Sequence, residues 1–267
     1  MTIKDNLQPT EKSTYFSNSS DKYKGEAKMN SIRRTARIVG VLFIIATIAA
    51  IIGRVLYQPI MSDPDYIIKG PANENQVILG VFFELILVGA AVGTSIMLFP
   101  YLKKQNESIA LGYVGFRLLE AVLIVIGLVS LLSLLTLSQE FASGVVLDAS
   151  SFQTVGRLLL TVHAWTIILG THFMLGIGTL MYSYLFYQSK LVPRWLSVWG
   201  LIAAVSIFVS ALLEMFGVIL TISLWAGILA IPVAFYEMVL AVWLIVKGFY
   251  SSAIASGSVK TDMNEEK

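Results

Sequence analysis

The chain is predicted to fold as an all-α, polytopic transmembrane helix bundle of about six spans, and three observations carry that prediction. Of its 267 residues 56% are hydrophobic and only 13% charged, with a mean hydropathy of +0.76. A water-soluble domain carries about a quarter charged residues. The apolar residues are gathered into runs that can cross a hydrocarbon core of about 30 Å, which takes ~20 residues at about 1.5 Å each. Lys and Arg collect on alternate connections between those runs. Backbone polar groups in lipid must be satisfied within their own segment, so each run is a helix.

In chain order, residues 1–30 are polar and lack apolar periodicity, and are expected to be a flexible cytoplasmic tail. Residues 31–250 form the single six-helix transmembrane domain, and residues 251–267 a second flexible cytoplasmic tail. The first span is read from Ile38 to Gly53 and the second from Val77 to Phe99, closed by Pro100. The third covers Ile109 to Leu137 and is interrupted by Arg117 and Glu120, and the fourth covers Leu158 to Phe186. The stretch from Trp195 to Phe249 is too long for one helix. A turn near Glu214 and Gly217 to Ser223 divides it into Trp195–Leu213 and Trp225–Val246.

The basic residues orient the bundle. Lys22, Lys24, Lys28, Arg33, Arg34 and Arg37 precede the first span, and Lys103, Lys104, Lys190, Arg194, Lys247 and Lys260 lie on the same side. The opposite connections carry Asp63, Asp65, Glu74, Glu140, Asp148 and Glu214 against Arg54, Lys69 and Arg157. Positive residues stay inside, so both termini are expected in the cytoplasm. Tyr182, Tyr184, Tyr187, Trp195 and Trp199 read as an inner aromatic belt, with Trp225 at the outer one. Gly89 and Gly93, and the stripe of Ala46, Ala50 and Gly53, let helices approach closely, for packing within the bundle or for dimerisation.

Ionisable residues within spans are costly and are functional candidates by default. Glu84, Arg117, Glu120, His163, His172 and Glu237 form that set. Arg117 and Glu120 are three apart and can pair on one helix face. Counting residues along the spans puts Glu84 and His163 roughly 8–10 Å from the outer surface, and Arg117, Glu120 and Glu237 roughly 14–18 Å from it. Glu84, Arg117, Glu120, His163 and Glu237 are therefore read as the lining of one polar, ligand-binding cavity open to the outside. The alternative is a plain interhelical hydrogen bond for each histidine and a self-neutralising pair for Arg117 and Glu120. Nine residues separate His163 from His172, half a turn on a regular helix, so they cannot share a metal; no metal site is expected. Pro232 frees the carbonyl of Ile228 and should kink the last span beside Glu237.

The absence of cysteine excludes disulfides and thiolate chemistry. No phosphate-binding loop, zinc helix or nucleophile elbow occurs, so no catalytic residue or cofactor is assigned. A net charge of +2 gives no reason to expect nucleic acid as a partner; the partners expected are the lipid bilayer and a small-molecule ligand.

Three segments resemble a known family: Arg33-Arg34-Thr35-Ala36-Arg37-Ile38-Val39-Gly40, Phe116-Arg117-Leu118-Leu119-Glu120-Ala121, and Ser189-Lys190-Leu191-Val192-Pro193-Arg194-Trp195-Leu196. With His163 and His172 on the intervening helix, they look like the bacterial multi-pass membrane family carried as domain of unknown function 4386, over roughly Met29 to Phe249. The resemblance implies a protein of the bacterial inner (cell) membrane with six to seven spans, and it brings no activity or substrate. Three functions stay open: ligand binding or regulation through a buried polar pocket, proton-coupled transport by intramembrane carboxylates, and lipid modification by His163 with a carboxylate.

Overall fold

The computed structural model describes residues 9–62, 71–144, 149–221 and 223–250. Asp63, Asp65, Lys69, Asp148, Lys260 and the polar segment after Tyr250 lie outside the described residues. Among the described residues there is no strand, and six helices are long and apolar enough to cross a membrane. These spans are Met29–Met61, Glu74–Leu102, Glu107–Ala142, Ser150–Ser189, Arg194–Met215 and Leu224–Val246. The protein is a multi-pass membrane protein.

The first helix runs from Pro9 to Ser62, through much of the segment expected as a tail. Extending an existing helix needs no new nucleus. Asn106 starts the third span by accepting a hydrogen bond from the Ile109 N–H at 3.0 Å, and Ser223 starts the sixth by accepting from Ala226 at 3.2 Å. The turn between the fifth and sixth spans falls where expected. It is closed by Gly217, at φ +69°, with the Val218 N–H donating to the Leu213 carbonyl at 2.8 Å.

Each span packs on the next in chain order, and the sixth packs back on the first, so the six helices close a ring. Small residues set the approach. A Cβ on Gly53 would lie 3.0 Å from the Gly80 carbonyl, and one on Gly176 would meet Phe208. Gly89 meets nothing within 4 Å, so its spacing with Gly93 does not mark a packed seam inside the bundle.

Two apolar cores fill the ring at different heights. Toward the end carrying the termini, Phe43, Leu98, Tyr113, Tyr182, Leu196 and Tyr236 draw on all six spans. Toward the other, distal end, Tyr57, Val81, Leu128, Leu131 and Leu134 are joined by Leu159 and Leu160, all from the first four spans. The fifth and sixth spans are only 22 and 23 residues long, against 36 and 40 for the third and fourth. Tyr182, expected in an interfacial belt, is fully buried in the first core; Tyr184, Tyr187 and Trp195 are exposed as a belt requires.

Candidate functional site

Buried polar residues occupy the level between the two cores. On the third span Arg117 Nη1 donates to both oxygens of Glu120, at 3.2 and 2.9 Å. Its Nη2 reaches across the ring to Glu237 Oε1 on the sixth span at 3.1 Å. The three-residue spacing gives the first contact; the second needs the ring. Two carboxylates thus share one guanidinium: Arg117 and Glu120 are buried, and Glu237 keeps 14% of its side chain exposed. Removing the guanidinium from such a buried set strands charge.

Glu84 and His163 sit together elsewhere. Glu84 Oε1 accepts from the Tyr57 hydroxyl at 3.1 Å. The Tyr57 and His163 rings meet edge to face, 5.5 Å apart. His163 Nδ1 is 2.9 Å from the Gly127 carbonyl, which fixes the proton on that nitrogen because a carbonyl can only accept. The approach depends on Gly127, where a Cβ would collide with the Thr166 hydroxyl.

The five residues expected around one cavity therefore divide between two adjoining ones. A small cavity of about 70 Å³ is lined by Tyr57, Glu84 and His163. A larger one of about 310 Å³ is lined by Arg117, Glu120 and Glu237 and by residues of all six spans. The second volume falls within the ~300–1,000 Å³ of ordinary small-ligand sites, and its wall is mostly apolar with few polar groups, as such sites are. Ala50, Arg54, Leu87 and Thr171 border both cavities. The depth count had merged them, because depth along a helix says nothing about which way a side chain turns.

The larger cavity has a floor and two openings. Phe43, Leu98, Tyr113 and Tyr182 close it toward the termini. Toward the distal end it meets a third space of about 500 Å³ lined by Arg54, His172, Thr221, Ser223 and the first turn of the sixth span. Laterally, Ile51 on the first span lines the cavity while 60% exposed, and so does exposed Ala234 on the sixth. These two spans touch at Gly40, where a Cβ would meet the Ala241 carbonyl. At Ile51 and Ala234 the cavity reaches the outer surface of the bundle as a fissure between them.

Two residues of the site were not legible as such. Arg54 was counted with a connection, yet it lies inside the first span, which continues to Met61. The signal was the renewed apolar pattern after it, Tyr57, Ile60 and Met61. Glu214 was likewise placed in a connection, yet it is in the last turn of the fifth span and 6% exposed. It accepts from Ser210 at 2.8 Å and pairs with His172 Nδ1 at 2.9 Å. His172 lies nine residues further along the fourth span than His163. Its contacts place it level with the distal ends of the fifth and sixth spans, because those helices stop short of the third and fourth. It belongs to a π-helical stretch, Ile167–Met174, which resets the helix rotation between the two histidines. Such stretches recur at functional sites. Pro232 leaves the last helix continuous from Leu224 to Val246. Ser206 donates to the Leu229 carbonyl at 2.8 Å, next to the hydrogen bond that the proline removes. Among the described residues no group of His, Asp and Glu has a metal-binding arrangement.

The family model described as domain of unknown function (DUF4386) matches residues 38–248. The chain belongs to that family. No curated protein and no solved structure matches it.

Proposed function

We propose that this family member binds a small amphiphilic ligand in the cavity enclosed by its six spans, as a binding or regulatory protein rather than an enzyme. The observation that carries the reading is the cavity of about 310 Å³ that every span lines, with mostly apolar walls, a charged cluster of Arg117, Glu120 and Glu237 in its lining, and a fissure between the first and sixth spans. A ligand dissolved in the bilayer reaches such a site without crossing water. Glu84 and His163 border the adjoining small cavity and shape its shared wall.

The test is occupancy. Purified from membranes into lipid nanodiscs, the protein should retain one small amphiphile per chain by native mass spectrometry. Val233→Phe, which projects a ring into the cavity, should lower that retention while leaving the melting temperature within a few degrees. Equal retention by the variant would sink the reading.

A second reading, a proton-coupled carrier, is favoured by one observation: two carboxylates face one guanidinium, so Glu237 has an oxygen to spare on the cavity side. The continuous last helix and the aromatic floor weigh against it, since carriers of this kind use interrupted helices. Proton flux in proteoliposomes that Glu237→Gln abolishes would favour the carrier.

We further infer, from the Lys and Arg bias, that both termini are cytoplasmic in a bacterial cell membrane. A cysteine at Glu140 should react with an impermeant maleimide added to intact cells, and one at Lys103 should not. The reverse pattern would invert the orientation.

A further inference from the structure

The charge carried by the ligand follows from the two guanidiniums inside the bundle, which differ in one respect. Arg117 already faces two carboxylates, which outnumber its single charge, although its Nε is buried without a hydrogen-bond partner. Arg54 makes no hydrogen bond and no ion pair among the described residues, although it borders all three cavities. The buried carboxylates around it have donors of their own. Glu84 is held by Tyr57, Glu214 by His172 and Ser210, and Glu120 and Glu237 by Arg117. The charge of Arg54 reaches Glu84 across the small cavity, but no carboxylate among the described residues touches its guanidinium, which can therefore take an anion from outside the fold.

The surroundings of Arg54 fit that role. The third space, on which it opens, is also lined by Thr221 and Ser223 and by the first turn of a 23-residue helix, whose positive dipole end adds to the attraction for an anion. A guanidinium matches carboxylate or phosphate oxygens two at a time. Directly below Arg54 the fissure is flanked by apolar Ile51 on one side and Ala230 and Ala234 on the other. Polar and apolar recognition therefore lie end to end along one path.

We propose that Arg54 anchors the anionic head, a carboxylate or phosphate, of a single-chain amphiphile whose tail lies in the fissure and the cavity below. This rests on the cavity-binding reading and adds the sign of the charge and the residue that reads it. The alternative is that Arg54 only snorkels to the membrane surface.

The test uses the full chain in phosphatidylcholine nanodiscs with four labelled probes: dodecanoate, dodecanol, dodecylammonium and inorganic phosphate. Dodecanoate is expected to bind saturably and at least tenfold more tightly than dodecanol. Arg54→Gln should remove that advantage while leaving dodecanol binding unchanged, which also reports that the cavity is intact. Arg54→Lys should restore part of it. Equal binding of dodecanoate by Arg54→Gln and the parent would overturn the proposal. A preference for dodecylammonium would overturn it too, yet leave the cavity reading standing. Phosphate binding as tightly as dodecanoate, and lost in Arg54→Gln, would place a free anion at Arg54 and overturn the amphiphile. No binding of any of the chain-bearing probes would remove the cavity reading itself.

Discussion

The two buried polar groups are built from similar residues and behave as opposites. Around Glu84 most of the parts are matched: a hydroxyl for the carboxylate, a carbonyl for Nδ1 of the imidazole and a glycine for the approach, with only His163 Nε2 left without a partner in this group. The space left over is about 70 Å³, room for a few waters. Around Arg117 two carboxylates share one cation beside a cavity of about 310 Å³. The first group lies against the four-span core, which packs without the fifth and sixth helices; the second lies where all six surround a gap. A buried ionisable residue marks expense, and the space beside it and the partners it lacks separate structure from site.

The comparison breaks most readily at Arg117. Arg117→Leu leaves two buried carboxylates without a cation and should cost about 3–5 kcal/mol, read from unfolding in nanodiscs. A loss below about 1 kcal/mol would mean that water already screens the cluster. In the other group, Gly127→Ala forces a methyl onto the Thr166 hydroxyl and should cost about 1–3 kcal/mol, while ligand retention stays unchanged. If retention falls instead, the two cavities act as one.

Tyr57→Phe removes one interhelical hydrogen bond, and such bonds in membranes are worth about 0.6–1.7 kcal/mol. A larger loss would give Glu84 more weight than a satisfied structural group has. The smallest effect is expected from Glu120→Gln, below about 1 kcal/mol, because Arg117 keeps Glu237. Had Arg117 and Glu120 been an isolated pair, the single change would strand a charge and the double neutral variant would relieve it. With Glu237 present the order reverses: Arg117→Leu combined with Glu120→Gln strands Glu237 and should be worse than Glu120→Gln alone. Thermal unfolding of the two variants side by side decides between pair and triad.

Much of the scaffold was legible. The six runs needed no tertiary information, since lipid accepts only segments that satisfy their own backbone, and the turn at Gly217 was marked by the one residue type that takes positive φ freely. The ends were less so: the first, third and fourth helices overrun their expected limits because apolar pattern and helix propensity continue past the charged residues that seemed to close them. Arg54 was lost at such an end, and Glu214 at the end of the fifth helix, which runs two residues past Leu213.

What the sequence determined by itself is the number and place of the spans and the local pair of Arg117 with Glu120, because helix periodicity fixes neighbours three and four residues away. What only the tertiary structure decided is the closing of the ring, the bridge from Arg117 to Glu237 120 residues on, the pairing of His172 with Glu214, and the division of one expected cavity into two. Those depend on the rotation of each helix about its own axis and on the helix it faces. Rotation is set by small residues such as Gly53, Gly80 and Gly127 and by the π-helical stretch that turns His172 away from its regular position. Such contacts join residues far apart in the chain, and no local pattern encodes them.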